Sequence, residues 1–340
     1  MTLKNYFLSV LAFCTFFLTM CSNKNPMQPA QSNKWVSISS DLSNMTVQSI
    51  AVPGNSGNRI YIGTLDGVYK STNGGEKWTD ISGALENRDA KALTANPDNP
   101  EMIICGTWGK GVFKSTDAGI SWEKIWNAGQ DPRINSVIIT RPDGQNILWV
   151  AAEDGVYKSN DLGHSWTKSF DHDHVISIAG QPNNENILFI GVRYKGIYKT
   201  TDAGKTWNPA NQGLYKTGDG VAAANSYIFF QNNPDEIYVS TSWVDLFRSP
   251  DGGQSWQQFA NDLQFSDVVS IDADKDNPNL MWAATLNNGV YKSTDRGENW
   301  SQFNDGLGSL QMKKICVVKN EKTTVYACTV GKGIYKYVEN

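Results

Sequence analysis

One short motif recurs along most of this chain, and it constrains the fold more than any other feature. It reads Ser or Thr, any residue, Asp, any residue, Gly, any two residues, Trp, with Asn73 replacing Asp in the first copy. Successive spacings between the closing tryptophans are 44, 44, 41, 49 and 44 residues. The six closing residues are Trp78, Trp122, Trp166, Trp207, Trp256 and Trp300. A fixed period of this length indicates a repeat architecture in which each unit is one supersecondary structure.

Each repeat reads as four short strands. In the second repeat, Ala90–Ala95, Met102–Thr107 and Gly111–Ser115 predict the first three strands, and the fourth begins near Trp122. The chain has 30 glycines and no long stretch with helical periodicity, which suits many short strands and tight turns. Four strands in about 44 residues are typical of a propeller blade, so the sequence predicts an all-β fold.

The two ends of the chain predict how the ring closes. The seventh repeat begins at Gly333-Ile334-Tyr335-Lys336-Tyr337 and stops before its motif. One period before Trp78 lies Trp35, so the N-terminus carries a spare last strand. We expect the strand at Trp35 to complete the sheet of residues 311–338, which leaves no open edge. Residues 33–340 therefore predict a single seven-bladed β-propeller of four-stranded antiparallel blades, closed by the N-terminal strand.

The recurring motif has a structural role of its own. A hydroxyl and a carboxylate can accept hydrogen bonds from backbone N–H groups of their own turn, and glycine permits a positive φ. The tryptophan then packs into the sheet or between blades. Because a self-contained turn explains them, we interpret the acidic positions as structural and not as catalytic acids. They are Asn73, Asp117, Asp161, Asp202, Asp251 and Asp295.

The first residues predict export. Lys4 precedes the almost unbroken apolar run Tyr6–Met20, which has the length of a signal peptide core. Leu18-Thr19-Met20-Cys21 resembles a bacterial lipobox, although Met20 departs from the small residue usual before the cysteine. We predict a lipoprotein-type signal peptide at 1–20, lipidation at Cys21 and a flexible tether at 21–32. Plain signal cleavage and an uncleaved anchor remain alternatives. The expected location is the bacterial periplasm or cell surface.

Cysteine content and charge limit the remaining possibilities. Outside the signal region, Cys105, Cys316 and Cys328 are an odd number and imply no full disulfide framework. Cys316 and Cys328 fall on neighbouring strands of a predicted hairpin and could pair, but we favour buried free thiols. The formal net charge of −4, without a basic block, argues against a nucleic-acid partner.

The repeats resemble the Asp-box, or BNR-type, propeller superfamily, and the resemblance covers nearly the whole mature chain. Its members include sialidases, two-propeller xyloglucan hydrolases, sortilin-type receptors and photosystem II assembly and stability factors. They share the fold but not the function. The resemblance therefore implies a propeller here, and each functional class has to be tested on residues.

Two enzyme classes fit this chain poorly. Sialidases of the superfamily use six blades, an arginine triad and an Arg-Ile-Pro motif, whereas the nearest strings here are Arg59-Ile60-Tyr61 and Arg133-Ile134-Asn135. The xyloglucan hydrolases have similar repeats, as at Gly106-Thr107-Trp108-Gly109, but their cleft lies between two propellers.

The assembly factors match in size and are non-catalytic. We predict a binding or assembly propeller at the cell envelope, recognising a protein or glycan through its loops. The alternative is a glycoside hydrolase or a carbohydrate-binding protein. We expect a monomer without cofactor or metal, attached to the membrane only by its lipid.

A binding site is expected on the face formed by the turns between the second and third strands and by the loops between repeats, because such loops vary on a rigid scaffold. Exposed aromatic side chains there suit stacking on sugars or capture of a peptide, and the alternative is packing over neighbouring loops. Arg88, Arg133 and Arg193 form either an anion-binding rim or ordinary ion pairs. The candidate rim residues are Trp108, Arg133, Asp171, His172, Arg193, Tyr194, Trp243 and Asp245.

In the string Asp171-His172-Asp173-His174, acids and histidines alternate, and this pattern resembles a set of metal ligands. On an extended chain the two histidines share one face and the two aspartates share the other. Two ligands do not complete a site, and His164 falls in a motif turn on the opposite face. We therefore favour a polar loop and predict no metal.

Overall fold

The computed structural model describes residues 34–339, except 44, 55–56, 84, 86–87, 127–132, 243–245, 261–262 and 264–266. The predicted signal peptide, Cys21 and the tether lie outside the described residues. Seven four-stranded antiparallel sheets form the blades, and strands a to d of each blade are hydrogen-bonded in that order. The predicted all-β, seven-bladed propeller is confirmed.

Strands a and b form the inner half of each blade and are five to nine residues long. In blade order, the a strands are Val47–Ala51, Ala90–Ala95, Ile134–Thr140, Val175–Gly180, Ala224–Phe230, Val268–Ala273 and Met312–Lys319. The b strands are Ile60–Thr64, Ile103–Thr107, Ile147–Ala152, Leu188–Val192, Asn233–Thr241, Met281–Thr285 and Thr323–Thr329.

Strands c and d form the outer half, and most d strands are very short. The c strands are Gly67–Ser71, Gly111–Ser115, Gly155–Ser159, Gly196–Thr200, Leu246–Ser249, Val290–Ser293 and Ile334–Val338. The d strands are Thr79–Asp80, Glu123–Trp126, Thr167–Asp171, Asn208–Pro209, Gln257–Phe259, Ser301–Gln302 and Val36–Ser37. A 3-10 turn at Pro142–Gly144 and a hairpin of Lys216–Thr217 with Gly220–Val221 are additions to the repeat. Within the described ranges, no helix is long and apolar enough to cross a membrane.

The ring closes in blade 7 as predicted. Val36 pairs with Lys336 and Ser37 with Tyr335, so the N-terminal strand is the d strand of the last blade. Trp35 is buried, and its indole Nε1 donates to the Phe303 carbonyl at 2.7 Å. The first and last parts of the chain therefore share one sheet.

The motif turns are closed by their own polar side chains. In blade 2, the Ser115 hydroxyl donates to Asp117 Oδ1 at 2.8 Å and accepts from the Gly119 N–H at 2.8 Å. Asp117 Oδ1 also accepts from the Ser121 N–H at 2.9 Å. Asn73 accepts the equivalent bonds in blade 1, from the Ser71 hydroxyl at 2.9 Å and the Lys77 N–H at 3.0 Å.

Five of the six motif tryptophans also bond their blade to the preceding one. Trp122 Nε1 donates to the Ile81 carbonyl at 2.7 Å, and Trp78 Nε1 donates to the Ile38 carbonyl at 2.6 Å. Because Ile38 follows the closing strand, the second bond joins blade 1 to blade 7. Trp300 departs from the pattern, since it donates to Gly297 of its own turn.

Lysines on the c strands make a second set of inter-blade bonds. Each amine donates to a backbone carbonyl in the motif turn of the next blade, at a residue with positive φ. The bonds measure 2.8 to 3.5 Å and join Lys70 to Ala118, Lys114 to Leu162, Lys158 to Ala203, Lys199 to Gly252 and Lys336 to Gly74.

The hydrophobic core is divided into layers between blades. Between blades 7 and 1, for example, Val47, Ile60 and Ile62 pack against Tyr326 and Ile334. Small residues on the b strands permit this close approach. At Gly191 an added Cβ would lie 2.1 Å from the Ala224 carbonyl oxygen of the next blade.

The cysteines of the propeller are free thiols. Cys316 lies opposite Tyr326 and Cys328 opposite Lys314, so the two do not form a cross-strand pair. Burial raises the pKa of the Cys316 thiol to about 12, which keeps it protonated near neutral pH.

Two faces follow from the strand order. The loops between strands a and b and the motif turns lie on one face, which we call the box face. The turns between strands b and c and the loops between blades lie on the other, which we call the loop face. Backbone bonds hold each set together, as in Ala118 N–H to Glu101 on the box face and Trp108 N–H to Asp89 on the loop face.

Candidate functional site

Trp108 is the best-defined aromatic residue of the loop face. It occupies the turn between strands b and c of blade 2 and keeps 38% of its surface exposed. Its backbone bridges to Arg133, where the chain enters blade 3. The indole therefore lies at the junction of two blades, where neighbouring loops can contribute to one site.

Two cations lie over the Trp108 ring. Arg133 Cζ is 5.5 Å from the ring centroid, and Lys91 Nζ is 5.7 Å from it. Burial, followed by repulsion from Lys313, lowers the pKa of Lys91, while Asp89 acts in the opposite direction. The group combines an exposed aromatic surface with positive charge, which suits a ligand with an acidic or carbonyl-rich surface.

Tyr194 and Arg193 form a separate part of the loop face, on blade 4. Tyr194 is 45% exposed and has a φ of 64°. Its carbonyl accepts from the Val221 N–H at 3.0 Å, so the hairpin 216–221 holds the turn in place. Arg193 is exposed, and its backbone N–H donates to the His174 carbonyl. The backbone of this turn is fixed while both side chains face solvent.

The 171–174 string does not have the geometry expected of an extended chain. His174 has a φ of 64°, so the expectation that the two histidines share one face is wrong. His172 stacks on Phe170 with centroids 5.9 Å apart, whereas His174 Nδ1 lies 2.9 Å from Glu153 Oε1. Asp171 forms an ion pair with Lys168 at 2.6 Å. Asp171, His172 and His174 each have a different neighbour and Asp173 is exposed, so the string is a polar loop.

Three more residues were predicted to lie on the loop face, namely Trp243, Asp245 and Arg88. Trp243 and Asp245 lie outside the described residues. Arg88 binds both Asp66, at 3.0 Å, and Asp80, at 2.6 Å. It is thus an ion-pair residue and not part of an anion-binding rim with Arg133 and Arg193.

Comparison with known proteins identifies the family. Residues 27–326 match the sequence model of the family described as photosynthesis system II assembly factor YCF48. The chain belongs to this family. The match includes all six Asp-box motifs and ends within strand b of blade 7. No curated protein sequence matches the chain significantly.

Solved structures agree on the fold. A YCF48 bound to a D1 peptide is 14% identical, with a TM-score of 0.67 over 91% of this chain and 96% of that one. YCF48 from Cyanidioschyzon merolae is also 14% identical, with a TM-score of 0.66 over 89% and 98%. An ancestral GH74 enzyme is 20% identical, with a TM-score of 0.71 over 91% of this chain but only 46% of the enzyme. The chain spans about half the length of that enzyme, and at these identities the likeness shows the fold alone.

The box face holds a cavity that the sequence did not predict. It measures about 960 Å³ and lies where the inner strands of six blades end. Tyr227 and Phe229, on its wall, stack with centroids 6.0 Å apart and planes within 7°. Among the charged residues of its wall, Lys275 donates to Asp272 at 2.9 Å, whereas Glu185 Oε2 is buried without a hydrogen-bond partner. The cavity is formed by strand ends from six repeats that are far apart in the sequence. No local sequence motif predicts that these residues come together.

Lys91 was not predicted as a site residue either, for a different reason. It lies inside a predicted strand, where a charged residue reads as an ordinary solvent-facing position. Comparing the same position in every repeat is the signal that distinguishes it, because Lys313 occupies that position in blade 7.

Proposed function

We propose that this member of the YCF48 family is a non-catalytic binding or assembly propeller at the cell envelope, which recognises a protein client through its loop face. The observation that carries the proposal is the Trp108 group, in which the Lys91 and Arg133 cations both lie over an exposed ring. Family membership supports the role, and the peptide-bound YCF48 structure shows that a propeller of this fold holds a peptide.

Three acidic residues of the loop face support a binding role over hydrolysis. A glycoside hydrolase needs a pair of carboxylic groups free to act on the substrate. Asp66 and Asp80 are neutralised by Arg88, and Glu153 is engaged by His174. Burial raises the pKa of Asp80, but hydrogen bonds from Ser82 and Arg88 outweigh it and hold that pKa below its usual value. These contacts suit ion pairing, not proton donation.

A capture experiment tests the role. Tagged protein is used to retain partners from solubilised envelope of the native host, comparing wild type with Trp108→Ala. We expect at least one abundant partner to be lost with Trp108→Ala, because truncating an interface aromatic commonly costs about 2 kcal/mol or more. Ile120→Ala is the matched control, since Ile120 is 80% exposed on the box face. Identical partner profiles for all three proteins would exclude the Trp108 group as the binding site.

The envelope location rests on the N-terminal sequence. Lys4, the apolar run to Met20 and the cysteine at position 21 fit a lipoprotein signal. Fractionation of the same cells tests the lipid anchor. We expect wild-type protein in the membrane pellet and the Cys21→Ala variant in the supernatant. Equal amounts in the pellet would remove the lipid anchor from the proposal.

A further inference from the structure

The connection between blades 4 and 5 carries an insertion on the loop face. It runs over residues 210–223 and is 14 residues long, whereas the other six connections have three to nine residues. The insertion contains the hairpin of Lys216–Thr217 with Gly220–Val221, the only two-stranded sheet among the described residues. The ring closes without such an addition, so the insertion suits a role in binding.

The hairpin is docked against the turn between strands b and c of blade 4. Lys195 pairs with Val221 in a parallel bridge, and the Val221 N–H donates to the Tyr194 carbonyl at 3.0 Å. Gly220 has a φ of 134°, and an added Cβ there would lie 2.1 Å from the Tyr194 carbonyl oxygen. Hairpin and turn therefore form one small unit, and the glycine allows them to approach this closely.

Two exposed tyrosines belong to this unit. Tyr194 is 45% exposed and Tyr215 is 49% exposed. The Ala222 N–H, one residue after the bond to Tyr194, donates to the Tyr215 carbonyl at 3.3 Å. The ring of Tyr215 also packs edge-to-face against Phe247, with centroids 5.6 Å apart. Aromatic side chains held in this way lose little conformational entropy when a partner binds.

Backbone contacts connect this unit with the Trp108 group across blade 3. Trp108 bridges to Arg133, whose carbonyl accepts from the Glu153 N–H at 3.0 Å. The Glu153 carbonyl accepts from the His174 N–H at 2.5 Å, and the His174 carbonyl accepts from the Arg193 N–H at 3.0 Å. Arg193 opens the turn on which the hairpin docks. The two aromatic groups therefore occupy equivalent turns of blades 2 and 4 on one continuous backbone rim.

Both ends of this rim are positively charged. The turn and the hairpin contain three exposed cations that form no ion pair among the described residues, namely Arg193, Lys195 and Lys216. The hairpin has a single acid, Asp219. The Trp108 group at the other end has its own two cations over the ring. Cations beside exposed aromatic rings are complementary to carboxylates and carbonyl oxygens.

We propose that the two aromatic groups form one binding surface, on which an acidic, extended segment of the client lies across the turns of blades 2 to 4. This inference rests on the proposed function, and it adds a chemistry for the client and a second point of contact. An extended segment is required because a whole blade separates the two groups. Once one contact forms, the second forms at a high effective concentration, which raises the affinity.

Fluorescence anisotropy with a labelled random copolymer of glutamate and tyrosine tests the surface. This probe is acidic and unfolded, and it carries aromatic rings. We expect it to bind wild type, and we expect Tyr194→Ala/Tyr215→Ala to weaken binding by about tenfold or more, as Trp108→Ala should do. A glutamate–tyrosine dipeptide cannot span both groups and should bind much more weakly than the copolymer.

Matched variants separate contact from folding. Leu310→Ala should keep wild-type affinity, since Leu310 is 46% exposed on the same face but lies between blades 6 and 7, outside the rim. Tyr194→Phe/Tyr215→Phe keeps both rings and should retain most of the binding. Gly220→Ala should weaken binding although both tyrosines remain, because the hairpin can no longer dock on its turn.

Three results would overturn the inference. The first is wild-type affinity of Tyr194→Ala/Tyr215→Ala for the copolymer. The second is tyrosine-dependent binding of a neutral oligosaccharide, such as cellohexaose, without binding of the copolymer, which would assign the surface to glycans. The third comes from the capture experiment, if the client is lost with Trp108→Ala but retained with the double tyrosine variant. That result leaves the proposed function intact, whereas retention of the client by both variants overturns the proposed function as well.

Discussion

At the scale of single residues, the Asp-box carboxylates are organising groups of the turns. Hydrogen bonds from the Ser121 hydroxyl and N–H, and from the Ser115 hydroxyl, lower the pKa of Asp117 to about 2. The same contacts lower the pKa of Asp202 to about 2, with Thr206 and Thr200 as donors. A carboxylate that accepts this many bonds is committed to its turn, which supports a structural role for the most visible motif of the sequence.

These lowered pKa values predict acid sensitivity. The pKa of Asp117 is lower in the folded than in the unfolded chain, so the unfolded chain binds more protons below about pH 4. Its contribution to the free energy of unfolding is therefore complete above that pH and is lost as pH falls towards 2. We expect Asp117→Asn to fold at pH 7 and to lose less stability than wild type between pH 4 and 2, as measured by urea unfolding.

Blade 1 provides the matched control. Asn73 already makes the two turn bonds without a carboxylate, so Asn73→Asp should make stability more pH-dependent over the same interval. Identical pH profiles for wild type and both variants would show that the turn carboxylates do not contribute.

Sequence reasoning succeeded at this scale where the contacts are local. The role of Asp117 follows from neighbours within four residues, and the spacing of the motif contains them all. It failed at His174, because a positive φ in a non-glycine residue depends on bonds to a distant loop. It also failed at Lys91, because the contact of its amine with the Trp108 ring involves a turn outside its own strand.

At the scale of elements, lysines on the c strands join successive blades. Lys114 is buried, and its amine donates to the Leu162 carbonyl at 3.2 Å and lies 3.2 Å from Glu123 Oε2. Leu162 has a φ of 54°, a strained conformation for this residue type, and the lysine bond helps to hold it. The bounds of strand c in blade 2, Gly111–Ser115, were predicted from the sequence, but this partner in the next repeat was not.

Removing this bond should destabilise the protein measurably. Lys114→Met keeps most of the side-chain volume and leaves the Leu162 carbonyl without its donor, which predicts a loss of about 1–3 kcal/mol in the free energy of unfolding. Lys77→Met is the control, since Lys77 is exposed on the same face. Equal effects of the two substitutions in chemical denaturation would contradict an inter-blade role for the c-strand lysines.

At the scale of the whole molecule, stability depends on closing the ring. The period of the repeat predicted the closure because a missing last strand and a spare first strand are complementary, and a closed ring leaves no exposed edge. The structure adds the specific bonds. Trp35 Nε1 donates to Phe303, Ser39 Oγ donates to the Ile334 carbonyl at 2.9 Å, and the Ser39 hydroxyl accepts from the Ile334 N–H at 2.7 Å.

Deleting residues 33–42 should therefore destabilise all seven blades and not blade 7 alone. The deletion exposes the Tyr335 and Tyr337 side chains that Trp35 covers and removes the carbonyl to which Trp78 donates. Loss of a buried tryptophan alone costs about 3–5 kcal/mol. We expect a large fall in melting temperature in calorimetry, with one cooperative transition.

A rescue experiment separates closure from simple loss of contacts. In the other six blades, strand d follows strand c along the chain, and in blade 7 it precedes strand a of blade 1. Moving residues 33–42 to a position after Asn340, through a flexible Gly/Ser linker, gives blade 7 the connection of its neighbours. Since the strand can reach the same edge of Ile334–Val338, we expect most of the lost stability to return. A relocated strand that restores nothing would show that the covalent link at Leu42, and not the completed sheet, holds the ring together.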